Sequence, residues 1–64
     1  MTQEEKNIII EEAQEVLDEF NEIPNEPKFF ESREKCGTKY QVIFNLFWRL
    51  TGNLLVVEDN KVVE

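Results

Sequence analysis

"YQVIFNLFWRL", residues 40–50, is the most apolar stretch of this chain, and its period decides the fold. Its even positions, Tyr40, Val42, Phe44, Leu46, Trp48 and Leu50, are all apolar, whereas of the odd ones only Ile43 and Phe47 are. Alternation with a period of two marks a half-buried strand. A helical template through Tyr40, Ile43, Phe44, Phe47 and Leu50 also fits, but it leaves Val42, Leu46 and Trp48 scattered over the other side. Tyr, Val, Ile, Phe and Trp form strands better than helices, so composition favours the strand.

The turns that follow keep this face in register. Gly52-Asn53, read as a two-residue type II′ turn, pairs Leu50 with Leu55 and Trp48 with Val57. Asp59-Asn60, read as the next turn, pairs Glu58 with Lys61, an opposite-charge pair, and Val57 with Val62. A slip of one residue would send every side chain to the other face. Both turns therefore support the same strand.

Upstream the period changes. "TQEE" offers Thr2 as a helix N-cap with Glu5 three residues on, the spacing of a capping box. At about 100° per residue, Ile9, Ile10, Ala13, Val16, Leu17 and Phe20 share one side of a helix, and the acids share another. That helix should run to about Asn21, where "NEIPNEP" stops it, because Pro24 and Pro27 lack donors and push the preceding residues to extended backbone. Residues 25–37 admit two readings: a further strand turning at Cys36-Gly37, or a short helix begun at Asn25 and Pro27 and ended at Gly37. The expected fold is α+β, one N-terminal amphipathic helix packed on a three- or four-stranded antiparallel β-meander. Its competitor is a winged helix-turn-helix: a short helix ending at Gly37, a second capped by "TKYQ", then the hairpin "LLVVEDNKVV". A DNA reader of that kind needs basic residues on its recognition helix and wing, and residues 38–64 supply only Lys39, Arg49 and Lys61.

The 64 residues make a single small domain, 1–64, near the size at which one core barely outweighs chain entropy. Fourteen acids against seven bases give a formal charge of −7, which disfavours direct binding to nucleic acid or an anionic membrane and points to neutral or basic protein partners. No apolar run resembles a signal peptide or a membrane span. The single cysteine, Cys36, has no intrachain disulfide partner and points to the reducing cytoplasm.

Catalytic chemistry finds little to stand on. With no histidine and two glycines there is no Ser/His/Asp or Cys/His arrangement, no phosphate-cradling loop and no zinc set. "EDNK" lacks the ligand spacing of a calcium loop. No cofactor is expected, and an enzyme is disfavoured.

Two surface features remain. The first helix carries an acidic face, with Glu4, Glu11, Glu15, Asp18 and Glu22 among eight carboxylates spread over roughly 27 Å of helix. One charge per about 3.4 Å matches the phosphate spacing of a DNA strand, so the face suits a basic, nucleic-acid-binding surface of another protein. The plain alternative is a solvated face that maintains solubility. Ile8 projects among these acids as a candidate contact. On the strand reading, Ile43, Phe47 and Val56 project together from the uncovered sheet face beside Arg49, and such a patch marks an interface with a partner or a second copy. The expectation is a small acidic interaction domain acting as a regulator, inhibitor or adaptor, set against a winged-helix transcriptional regulator.

Overall fold

The computed structural model describes all 64 residues. It begins with helix α1, Gln3–Glu22, which starts on the expected capping box. The Glu5 N–H donates to Thr2 Oγ1 at 3.1 Å, and the Glu5 carboxylate accepts the Thr2 N–H at 3.3 Å. The Thr2 backbone N–H first, and its hydroxyl second, hold the Glu5 carboxyl below its usual range. At the other end the Ile23 N–H returns to the Phe20 carbonyl at 3.2 Å, and Pro24 follows. Pro27 opens a 3-10 turn, Pro27–Phe29, that runs into helix α2, Phe30–Thr51.

The structure corrects the reading of residues 40–50. They lie in one unbroken 22-residue helix. The strand-to-strand turn expected at Gly52-Asn53 is instead a helix stop: Gly52 takes a φ of 75° and donates its N–H to the Trp48 carbonyl at 2.8 Å. A left-handed residue just past the last turn is the usual way to satisfy a terminal carbonyl, and glycine adopts it without steric cost. Two strands exist, β1, Val56–Glu58, and β2, Lys61–Val63, so the three- or four-stranded meander is not formed. The hairpin itself has the expected register, Val57 opposite Val62 and Glu58 opposite Lys61, across Asp59 and Asn60 at φ 51° and 62°. The architecture is a mixed α+β one: two antiparallel helices and one β-hairpin. The order helix, helix, hairpin is that of the winged-helix alternative, but α2 passes through Gly37 without a break, so there is no turn between two short helices.

The reason lies in packing. The core is Ala13 of α1, Phe47 of α2, Leu55 and Val62, with Ile9, Ile10, Leu17, Tyr40, Ile43 and Phe44 packed against it. Cys36, Tyr40, Ile43, Phe44 and Phe47 recur at helical spacing and make one stripe along α2 that meets the stripe of α1. Burial of this stripe overrides the strand preference of its residues. Most of the even-numbered set is left outside: Val42, Leu46, Trp48 and Leu50 are each half or more exposed. Phe47, read as a surface residue, is fully buried.

The far end of the helix pair is held by Arg33. Its guanidinium lies 4.2 Å from the centroid of the Phe20 ring and donates to the Ile23 carbonyl at 2.9 Å. Gly37 sits mid-helix with open space where a Cβ would stand. Gly37→Ala should therefore stabilise the domain by about 1 kcal/mol through the lower chain entropy of alanine. The measurement is a thermal melt, with a midpoint rise of roughly 4–8 °C expected for a domain of this size.

Candidate functional site

The hairpin covers one flank of the helix pair and leaves the other open. Gln14 fixes it there: its Oε1 accepts the Val62 N–H at 2.7 Å and its Nε2 donates to the Asn60 carbonyl at 3.0 Å. At the C-terminus, Glu64 bridges to Lys6 at 3.1 Å and accepts from the Asn53 side chain at 3.2 Å. Those two hydrogen bonds, Lys6 first, hold the Glu64 carboxyl below its usual range. Gln14 and Glu12 project about 160° apart on α1, so the flank opposite the hairpin is the one that carries Glu12.

On that open flank a shallow groove runs between the helices, lined by Glu12, Glu15, Val16 and Glu19 of α1 and by Thr38, Lys39, Val42 and Ile43 of α2. Toward the other end of the pair the same side of α2 continues with Leu46 and Leu50, four and eight residues beyond Val42. On α1 it continues with Ile8, four residues before Glu12. Four large apolar side chains stand out here: Ile8 is 56% exposed, Val42 60%, Leu46 50% and Leu50 54%. An acidic rail borders them on α1, and Lys35, Lys39 and Arg49 border them on α2.

The acidic face expected on α1 is present. Glu4, Glu11, Glu15, Asp18 and Glu22 are all exposed, and none takes part in an ion pair. Asp18 only accepts from the Gln14 side chain, at 3.0 Å. The second expected patch is not assembled. Phe47 points into the core, Ile43 packs against it half-buried, Arg49 is exposed on α2, and Val56 is exposed on the hairpin. The strand reading put them on one face because it counted in twos.

Val42, Leu46 and Leu50 are the surface residues that the sequence reading missed. For Val42 and Leu46 the signal was the set that the helical template leaves over, which is the outer side of α2; Leu50 lay on the template itself and had no such signal. Cys36 is buried beside Val16, Leu17, Phe20 and Tyr40, inside the helix pair. The Tyr40 hydroxyl there is buried without a hydrogen-bond partner, and burial pushes its pKa up. No cluster of three or more metal-ligating side chains occurs, and no helix is long and apolar enough to cross a membrane.

The chain matches no protein-family model, no curated protein and no solved structure.

Proposed function

We propose that this chain is a non-enzymatic protein-interaction domain that occupies a basic surface of a partner protein, in the manner of a small regulator, inhibitor or adaptor. The observation that carries this reading is the unpaired acidic face of α1. Five exposed carboxylates, Glu4, Glu11, Glu15, Asp18 and Glu22, lie along a capped, unbroken helix with no intrachain base drawn to any of them. Carboxylates left free on a rigid rod keep their full field for a partner and lose no ion pair on docking. With Glu5, Glu12 and Glu19 they make eight carboxylates on α1, about 3.4 Å of helix per charge, a density that suits a groove that accepts a nucleic-acid backbone.

Reversal of Glu11, Asp18 and Glu22 to lysine tests it. Partners retained by the immobilised intact chain should bind the triple variant at least roughly tenfold more weakly, and the salt dependence of retention should flatten. Circular dichroism should stay unchanged, because all three side chains are exposed. The same partners retained with the same salt profile would exclude the acidic face as the binding surface.

A further inference from the structure

Apart from Glu15, the open flank of the helix pair is a surface that the acidic face does not use. The molecule also exposes more than a compact chain should. Its accessible surface is 4912 Å², against roughly 4,300 Å² for a compact monomer of this mass. Its radius of gyration is 12.5 Å, against about 10.7 Å for 64 residues. Only five residues are buried. We propose that the flank formed by Ile8, Glu12, Glu15 and Glu19 of α1 and by Lys39, Val42, Leu46 and Leu50 of α2 is the interface of a two-fold symmetric dimer of this chain.

Charge selects the occupant. A basic helix laid on this flank would meet Lys35, Lys39 and Arg49 of α2, and an acidic one would meet the glutamates of α1. A second copy carries both rails. A two-fold axis parallel to the helices and in the plane of the flank lays α1 of one copy antiparallel on α2 of the other, with no shift along the helices. Residues that flank the groove within one chain then oppose each other between chains. Glu12, Glu15 and Glu19 share the groove with Lys39 and Val42, so the partner's Glu15 comes onto Lys39. One turn to one side the partner's Glu19 comes toward Lys35, and two turns to the other the partner's Ile8 comes toward Leu46.

Neither Lys39 nor Arg49 has a carboxylate within ion-pair distance in the single chain, so both are free for the partner. In the resulting four-helix bundle every neighbouring pair is antiparallel, an arrangement common among bundles. The helices have 20 and 22 residues, about 30 Å each, so the covered flank is on the order of 600 Å² per copy. That approaches the ~800 Å² per partner of a stable interface. The hairpin and the outward carboxylates Glu4, Glu11, Asp18 and Glu22 stay outside it; of the acidic face only Glu15 is shared, so reversal of Glu11, Asp18 and Glu22 tests that face without touching the dimer.

Sedimentation equilibrium of the intact chain should give twice the chain mass of 7.6 kDa. Leu46→Lys should weaken the dimer by roughly 30-fold or more, as loss of a central contact does, with the helical circular dichroism unchanged. Glu15→Lys and Lys39→Glu should each be monomeric, and an equal mixture of the two should recover a dimer, because each copy then supplies the charge the other lacks. The mixture reports on contacts between chains alone. A monomer at every concentration, a dimer indifferent to Leu46→Lys, or a mixture that stays monomeric would each overturn the proposal.

Discussion

Phe47→Ala is expected to remove most of the stability of this domain. Phe47 is the one large side chain with no exposed surface, and it touches the core formed by Ala13 of α1, Leu55 and Val62. Truncation of a buried phenylalanine costs about 3–5 kcal/mol through lost transfer energy and the cavity left behind. A folded chain of this length holds only about 3–10 kcal/mol in total. The thermal midpoint should fall by roughly 15 °C or more, together with the helical circular dichroism. Asn45→Ala, two residues away and exposed on the outer side of α2, should stay within about 0.5 kcal/mol of the parent. A near-normal melt for Phe47→Ala would put Phe47 on a surface, as the strand reading had it.

Gln14→Leu is expected to release the hairpin while sparing the helices. The side chain keeps its size, but the Val62 N–H and the Asn60 carbonyl lose the partners they have at 2.7 and 3.0 Å. Two hydrogen bonds at about 1 kcal/mol each, with a partly buried N–H left unsatisfied, give a loss of about 2–3 kcal/mol. It should appear locally, because small proteins open in units and the hairpin is held to α1 through β2. Amide exchange at Val62 should speed up by roughly 30-fold or more, whereas amides in the middle of α1 change much less. Equal acceleration in both would show that hairpin and helices open as one unit.

These two variants touch the features that the sequence reading placed best and worst. The hairpin register was legible because Asp59 and Asn60 tolerate positive φ and Glu58 faces Lys61, all of it local chemistry. The start of α1 was legible for the same reason: Thr2 and Glu5 need only each other. The stop of α1 at Pro24 and the opening of the next helix at Pro27 follow from the missing N–H of proline. In residues 40–50 an alternating and a helical pattern coexist, and local preference favours the one that does not form. Gly52 deepened the error, since a glycine with positive φ serves a turn between strands and the end of a helix equally well. The acidic face was correctly placed because α1 was, and Ile43, Phe47 and Val56 were grouped on a face that does not exist because α2 was not.

By itself, then, the sequence determined what rests on neighbours in the chain: the capped acidic helix, its stop and the terminal hairpin with its register. Tertiary structure alone decided the period of residues 40–50, because either period buries some of their side chains and the choice depends on what surface is offered in return. The stripe of α1 and the hairpin residues Leu55 and Val62 offer a site for Phe47 between them. Filling it requires α2 to be a helix, and that same requirement turns Val42, Leu46 and Leu50 outward.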